Sequence, residues 1–239
     1  MAIIERQITV PTSDGPMPTF EVTPGQAAKG AVIVVQEAFG VTTHIEDVTR
    51  QFGEAGFHAV APAFFHRQGA PALAYDDFDS VMPLMGKLTA EGITADLNGA
   101  IDYLETAGFP SSRIGVVGYC MGGSVAFYAG TLRALGAAVT YYGGGVTEGR
   151  FGLPSLVDQA KDLTSPWLGQ FGDLDKGIPV ADVELLRQAT EQAGVPTEVV
   201  RYADADHGFN CTDRPSVFNA AASDAAWART IDWFHHYLK

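Results

Sequence analysis

The stretch GVVGYCMGGS, residues 115–124, combines a nucleophile with the glycines that a catalytic turn requires. An apolar run leads into Gly118, and Cys120 then takes the position that serine holds in the G-x-S-x-G elbow of many hydrolases. Small residues must flank the nucleophile in such a turn, and Gly118 and Gly122 provide them. A helix beginning at Met121 would lower the pKa of the thiol through its N-terminal dipole. We interpret Cys120 as a nucleophile; the alternative is a buried structural cysteine.

A cysteine nucleophile needs a base, and only three of the six histidines follow it in the chain. His207 comes directly after the last predicted strand, where hydrolases with this element order carry their histidine. His235 and His236 lie in the terminal helical segment, and we expect them at the surface. The sequence therefore favours His207 as the base, although an isolated histidine is more often structural.

The acid that orients the histidine should follow the strand PWLGQFG, residues 166–172. Asp173 and Asp175 both satisfy this condition. Either one could instead be a loop carboxylate or a helix cap, which is a common use of aspartate. Spacing alone does not choose between them.

Glu37 is unusual because it follows the valine-rich run AVIVVQ directly. A buried carboxylate is costly unless it is paired, so Glu37 is a candidate functional acid. The alternative is a strand-end glutamate that faces solvent. The next residue, Ala38, lies on the loop that contributes one backbone N–H to the oxyanion hole of this architecture, and Met121 would contribute the other.

Charge limits the class of partner. With a net charge of −13 and only 15 basic residues, the chain would be repelled by nucleic acids and by anionic membranes. We expect a small-molecule substrate, and an anionic one would need a local cation. Arg67 is a candidate for that cation, and the alternative is an ordinary surface arginine.

Strand and helix patterns alternate along most of the chain and predict one α/β domain, residues 1–239, with a mainly parallel sheet and helices on both faces. An opening hairpin precedes this alternation, and residues 66–88 form an irregular excursion beside the site. The predicted helices span 45–56, 89–108, 121–130, 180–194 and the C-terminal segment from about Ser216, and the predicted strands span 31–37, 57–65, 113–119, 136–144, 166–172 and 197–203.

Two cysteines do not make a disulfide framework, and the N-terminus carries no apolar signal segment. No apolar run is long enough to span a membrane. We expect a cytoplasmic protein that is a monomer or a small homo-oligomer. No His, Cys and Asp cluster has metal-ligand spacing, so neither a metal nor another cofactor is expected.

Four motifs in this order, QEAFG, GYCMGG, GDLDKGIP and DADHGFN, resemble the dienelactone hydrolase (carboxymethylenebutenolidase) family. The resemblance runs from about Ala31 to the C-terminal helix. It implies an α/β-hydrolase fold and cysteine-dependent hydrolysis of small esters or lactones by a Cys-His-Asp triad. A glutamate beside the cysteine is also a feature of this family.

Carried over to this chain, the resemblance makes Cys120 the nucleophile, His207 the base and Asp175, rather than Asp173, the acid. Glu37 matches the glutamate thought to hold the resting thiol and to accept its proton when substrate arrives. The resemblance further implies that Arg67 binds a carboxylate of the substrate and that Phe39 of the QEAFG motif contacts the substrate.

One departure concerns the substrate. Family members that act on dienelactone carry a second arginine four residues after the catalytic histidine, where this chain has Cys211, with Arg214 three residues further on. A general carboxylesterase or thioesterase is therefore the alternative enzyme. A ligand-binding protein on the same fold is a non-enzymatic alternative. A redox sensor that uses Cys120 and Cys211 is another.

Overall fold

The computed structural model describes residues 2–239, and eight strands in this range form one sheet in the order β1-β2-β4-β3-β5-β6-β7-β8. Strands β3 to β8 run parallel to their neighbours, whereas β1 and β2 form an antiparallel hairpin at one edge. The strands are β1 (Ile3–Thr12), β2 (Gly15–Pro24), β3 (Ala31–Val35), β4 (His58–Pro62), β5 (Ile114–Tyr119), β6 (Ala137–Tyr141), β7 (Trp167–Gly172) and β8 (Thr197–Tyr202).

Helices connect the parallel strands, as the α/β pattern predicts. They are α1 (Thr43–Glu54), α2 (Phe78–Met85), α3 (Ala90–Thr106), α4 (Met121–Leu132), α5 (Leu156–Gln159), α6 (Val180–Thr190) and α7 (Ala220–Tyr237). Single 3₁₀ turns occupy His66–Gln68, Ser111–Arg113 and Ala160–Asp162. The sheet and its helices confirm the predicted α/β-hydrolase fold.

Side-chain caps explain where two of the helices begin. Thr89 precedes α3 and accepts a hydrogen bond from the N–H of Gly92, so this helix starts within the predicted range. Helix α7 starts at Ala220, four residues after the predicted Ser216, because Asn219 is its cap and accepts from the N–H of Ala222.

The central strands are buried along their whole length, and this burial accounts for their uninterrupted apolar sequences. Every residue of β3, β5 and β6 is buried, as expected for parallel strands with helices on both faces. Because β5 lies between β3 and β6, the residues that follow these three strands meet at one edge of the sheet. The loops after β7 and β8 continue along the same edge.

No helix within residues 2–239 has both the length and the apolar character needed to cross a membrane. His235 and His236 are exposed on α7, as expected from their place in the chain.

Candidate active site

Cys120 occupies a strained turn between β5 and α4. Its backbone has φ 55° and ψ −116°, a region that non-glycine residues rarely adopt. Backbone hydrogen bonds hold the turn: the Cys120 N–H donates to Tyr141 O over 3.1 Å, and the Gly123 N–H donates to Cys120 O over 3.0 Å. The turn therefore presents the half-buried thiol at the carboxyl edge of the sheet.

Three glycines allow this turn because a side chain at any of them would meet backbone atoms. A Cβ at Gly118 would lie 1.8 Å from Gly122 O, and a Cβ at Gly122 would lie 2.4 Å from Gln36 O. At Gly123, a Cβ would lie 2.7 Å from Tyr141 O. The glycines of the GYCMGG motif are thus required by contacts with β3, β6 and α4.

The structure brings the cysteine, the predicted histidine and one predicted aspartate into a chain of contacts. His207 Nε2 lies 3.0 Å from Cys120 Sγ, and His207 Nδ1 lies 2.7 Å from Asp175 Oδ2. Asp175 is buried, and its other oxygen accepts a hydrogen bond from the Gly177 N–H. This is the geometry of a nucleophile, a base and an orienting acid.

Asp173, the alternative acid, is engaged elsewhere. Both of its carboxylate oxygens lie 2.7 Å from the guanidinium of Arg201, in a partly exposed ion pair. The structure therefore separates two aspartates that spacing left equivalent, and it places Asp175 at the histidine.

Electrostatics favour a charged His207. Burial lowers the pKa of this imidazole, but the negative charge of Cys120 and the hydrogen bonds with Asp175 and Cys120 outweigh burial and raise the pKa to about 10. The contacts of His207 with Cys120 and Asp175 therefore favour the imidazolium form of this side chain.

Glu37 is completely buried, so the solvent-facing alternative is wrong. The Tyr75 hydroxyl donates a hydrogen bond of 2.9 Å to Glu37 Oε2, and the Tyr142 hydroxyl lies 3.5 Å from Oε1. Among residues 2–239, no hydrogen bond joins Glu37 to Cys120, whose sulfur contacts His207 instead. The structure therefore differs from the expected resting contact between the thiol and Glu37.

The groups around Glu37 are held in their neutral forms. Burial and then the charge of Glu37 raise the pKa values of Tyr75 and Tyr142 well above the usual range of a phenol. The same two causes raise the pKa of Cys211 to about 11. Cys211 is thus a buried neutral thiol, an environment that disfavours the reactive thiolate a redox sensor would need.

Tyr142 was not found from the sequence. It follows β6 with φ 38°, and its ring centroid lies 5.1 Å from that of His207. Its hydroxyl faces Glu37, so one side chain touches both the base and the buried carboxylate. The only signal available was its position at the end of the strand beside the elbow.

Folding brings together two clusters of side chains of the kinds that bind metal ions, and their spacing in the sequence did not reveal either cluster. Within the described part of the chain, the ligand atoms of each group lie within 4.8 Å of one another. The groups are Glu37 with His44 and Cys211, and Asp14 with His66 and Asp96. In the first group His44 Nε2 is buried without a hydrogen-bond partner, and in the second the carboxylates bind Arg67.

Arg67 was expected beside the thiol, but it is not among the residues that line the cavity there. Its guanidinium donates to Asp14 and to the fully buried Asp96 over 2.6–2.9 Å, and to the carbonyl of Gly92. Two carboxylates already pair with this cation, and its contact with substrate stays a prediction.

Phe39 is buried rather than exposed to the pocket. Its ring packs against Tyr75 with centroids 4.6 Å apart and against Phe78 at 5.8 Å. The predicted oxyanion donors both follow strands at the carboxyl edge of the sheet. Met121 is the first residue of α4, so its N–H has no acceptor within the helix, and Ala38 lies in the loop after β3.

The thiol opens into a cavity of about 410 Å³, within the range of small-molecule sites. Two of its lining residues, Arg150 and Lys176, were not predicted as site residues, although Lys176 lies within the GDLDKGIP motif. The cavity is lined by Cys120, Gly144, Arg150, Asp175, Lys176, Gly177, Ile178, Asp206 and His207.

Comparisons with known proteins show which family this chain belongs to. The profile of the dienelactone hydrolase family matches residues 17–238. An Escherichia coli O157:H7 protein provisionally named carboxymethylenebutenolidase is 35% identical over 99% of this chain and 88% of its own length. The carboxymethylenebutenolidase of Pseudomonas putida is 28% identical over 88% of this chain and 87% of its own length.

A solved structure from Klebsiella pneumoniae subsp. pneumoniae MGH 78578, provisionally described as a dienelactone hydrolase, has the same fold. It superposes with a TM-score of 0.91 at 34% sequence identity, and the match covers 99% of this chain and 100% of that one.

Proposed function

This chain belongs to the dienelactone hydrolase family, and we propose that it hydrolyses small esters or lactones with Cys120 as its nucleophile. The contact chain from Cys120 through His207 to Asp175, at the wall of an open cavity, is the observation that carries the proposal. Neither another protein chain nor a nucleic acid is needed for this chemistry.

The first half of the reaction acylates the cysteine. The Cys120 thiolate attacks the carbonyl carbon, an S–C bond forms, and the carbonyl oxygen becomes an oxyanion. The N–H groups of Ala38 and Met121 are placed to donate to this oxyanion. As the C–O bond to the leaving group breaks, the imidazolium of His207 gives its proton to the departing alkoxide.

Water then removes the acyl group. Neutral His207 accepts a proton from water, the hydroxide equivalent attacks the thioester, and the thiolate leaves when the S–C bond breaks. Asp175 keeps Nδ1 protonated and orients the ring, so Nε2 faces the reacting atoms throughout both halves.

We propose that Glu37 acts on the thiol before substrate binds. In this proposal the resting thiol rotates towards Glu37 as a neutral group, which protects it from oxidation and alkylation, and substrate returns it to His207. Support comes from the burial of Glu37 and from the neutral phenols of Tyr75 and Tyr142, which give its carboxylate hydrogen bonds without an opposing cation.

Alkylation by iodoacetamide at pH 7 tests this part. If Glu37 holds the thiol, wild-type Cys120 reacts slowly without substrate, and Glu37→Gln reacts faster because the carboxylate acceptor is gone. Rapid alkylation of the wild type, with no change in Glu37→Gln, would show that the His207-paired thiol is itself the resting state.

The hydrolase assignment is tested with aryl esters and lactones. We expect Cys120→Ala and His207→Ala to lose at least about a thousandfold in kcat while their melting temperatures stay near that of the wild type. His236→Ala is the matched control, because His236 is exposed on α7, and it should keep full activity. Unchanged hydrolysis by Cys120→Ala would refute the proposal.

A general carboxylesterase or thioesterase is the alternative function. It is favoured by Cys211 at the place of the family's second arginine and by the ion pairs that occupy Arg67. A panel of lactones, oxygen esters and thioesters with equal acyl groups would distinguish the two functions.

A further inference from the structure

Three buried side chains from distant segments meet around the carboxylate of Glu37. Glu37 follows β3, His44 lies in the first turn of α1, and Cys211 lies between β8 and α7. A carboxylate oxygen, an imidazole nitrogen and the thiol sulfur of these residues lie within 4.8 Å of one another. All three residues are buried, and His44, the most accessible of them, is only 3% exposed. These three residues are called the Glu37 cluster below.

Within residues 2–239, Glu37 takes part in no ion pair within 4.0 Å, although it is fully buried. Its hydrogen-bonding neighbours, Tyr75 and Tyr142, are phenols whose raised pKa values keep them neutral. A buried carboxylate without an opposite charge is costly. A cation bound at this position would therefore stabilise the folded chain.

The imidazole of His44 has a nitrogen that nothing uses. Among the described residues, its Nε2 is buried and has no hydrogen-bond partner. Burial lowers the pKa of His44, so the ring is neutral, and with its proton on Nδ1 it carries a free lone pair on Nε2. Neutral imidazole is the form that binds metal ions. His44 is thus prepared to act as a ligand beside an unbalanced carboxylate.

We propose that Glu37, His44 and Cys211 bind one Zn²⁺ ion. Oxygen, nitrogen and sulfur are the ligand atoms that zinc takes in proteins, and a tetrahedral site with bonds of about 2.0–2.3 Å places them about 3.3–3.8 Å apart. The present spread of up to 4.8 Å must therefore shrink by about 1 Å, which rotation of the side chains can supply. Cys211 releases its proton to solvent as the sulfur–zinc bond forms. The carboxylate and the thiolate then neutralise the ion, and a fourth position stays open for water.

The hydrogen bond from Tyr75 is suited to orienting the carboxylate ligand. The Tyr75 hydroxyl donates to Glu37 Oε2 over 2.9 Å, whereas Oε1 has only the longer contact of 3.5 Å with Tyr142. Carboxylates that bind metal ions are commonly held by such a second hydrogen bond. Oε1 is therefore the oxygen available to zinc.

The other cluster of metal-binding side chains differs in its charge balance. The carboxylates of Asp14 and Asp96 already bind the guanidinium of Arg67, and Asp96 also contacts His66. An ion at that cluster would have to displace an arginine. The Glu37 cluster needs no such displacement, so we assign zinc to it alone.

Zinc at the Glu37 cluster would join the end of β3, α1 and the segment between β8 and α7. Because these segments come together only in the folded chain, the ion favours folding. Zinc at about 100 times its Kd should raise the melting temperature of chelator-treated protein by about 5–10 °C. Mg²⁺ should not, because it prefers oxygen ligands in octahedral sites. This measurement needs no substrate and does not depend on the hydrolase function.

Cobalt(II) in place of zinc identifies the sulfur ligand, since a thiolate bound to Co²⁺ gives a charge-transfer band in the near ultraviolet. The chain has two cysteines, so Cys211 is the only thiol in Cys120→Ala. We expect the band in the wild type and in Cys120→Ala. It should be missing from Cys211→Ala, where Cys120 is the only thiol.

His44→Leu tests the nitrogen ligand. It should lower the affinity for Co²⁺ by at least about 100-fold, more than the loss of a group that only orients a ligand. His236→Ala is the matched control, because it removes an exposed imidazole from α7, and it should bind Co²⁺ as the wild type does.

The variants also define the results that would overturn the proposal. A band that is lost in Cys120→Ala and kept in Cys211→Ala would place the metal at the Cys120–His207 pair instead. Equal affinities of His44→Leu and the wild type would exclude the nitrogen ligand. A wild type with neither a band nor a rise in melting temperature would exclude the site. If His44→Leu does not fold, the two cysteine variants decide the question.

Discussion

Asp173 and Asp175 are two residues apart in one loop but have different partners. Asp175 faces His207, and Asp173 forms a surface pair with Arg201. We expect Asp175→Asn to lower kcat by about a thousandfold or more, because an amide would no longer fix the tautomer of the imidazole. Asp173→Asn should leave kcat within about twofold and cost about 1 kcal/mol or less of stability. Steady-state kinetics on one ester measure both variants, and equal losses would refute the assigned roles.

The charge state of His207 gives a second prediction at the scale of single residues. Its pKa, raised to about 10, depends on the negative charge of Cys120 more than on the hydrogen bond with Asp175. In Cys120→Ala that charge is missing while burial remains, so the pKa of His207 should fall. Titration of the ring protons by NMR measures it. A pKa unchanged between wild type and Cys120→Ala would contradict the ion pair.

The same raised pKa has a defined effect on stability. The folded protein binds the His207 proton more tightly than the unfolded chain, whose ordinary pKa is 6.5. The stabilisation is therefore complete below about pH 6.5 and is lost as pH rises towards 10. Chemical denaturation at pH 6 and pH 10 should show this loss in the wild type and a smaller loss in Cys120→Ala.

At the scale of elements, the junction of β5 and α4 depends on backbone clearance. We expect Gly118→Ala to destabilise the protein by about 3 kcal/mol or more, because the new Cβ would overlap the Gly122 carbonyl oxygen at 1.8 Å. Gly194→Ala is the matched control: a Cβ there has no atom within 4 Å and the backbone φ is not positive, so the change should be near neutral. Thermal melts of both variants test the prediction.

Residues that follow a strand could be found from the sequence, since parallel strands bring their carboxyl ends to one edge. This rule located Cys120, His207 and the Asp173–Asp175 pair, and it required only local patterns and chain order. It could not choose between the aspartates, because the choice depends on which carboxylate reaches the histidine ring. That contact is made 32 residues away in the chain.

Side-chain contacts between distant segments could not be predicted from the sequence in the same way. Arg67 was expected at the substrate, yet its partners Asp14 and Asp96 come from the β1–β2 turn and from α3. Arg150 and Tyr142 were missed for the same reason, because their neighbours are set by the packing of loops on the sheet edge. Sequence periodicity predicts burial along an element but not the pairing of polar side chains between elements.

At the scale of the whole molecule, Arg67 joins three separate parts of the chain. It binds Asp14 in the β1–β2 turn and Asp96 in α3 from the turn after β4. We expect Arg67→Gln to cost about 3 kcal/mol, because the fully buried Asp96 would lose its main cation and keep only His66. For a chain of this size the melting temperature should fall by about 6–12 °C.

Arg50→Gln is the matched control for this prediction. Arg50 binds three carboxylates where Arg67 binds two, but Glu5, Glu46 and Asp47 are all at least partly exposed, so its loss should cost about 1 kcal/mol. Equal shifts in the two variants would contradict the structural role of Arg67. A fall in the kcat/KM of Arg67→Gln for an ester that carries a carboxylate, with no fall for a neutral ester, would support its predicted contact with substrate.

The turn around Cys120 is defined by backbone strain and by absent side chains at Gly118 and Gly122, and none of these features involves sulfur. The backbone requirements of this turn are therefore independent of whether the nucleophilic atom is sulfur or oxygen. Cys120→Ser would exchange the thiol for a hydroxyl and leave these backbone constraints unchanged. The same backbone turn can therefore carry either a sulfur or an oxygen nucleophile.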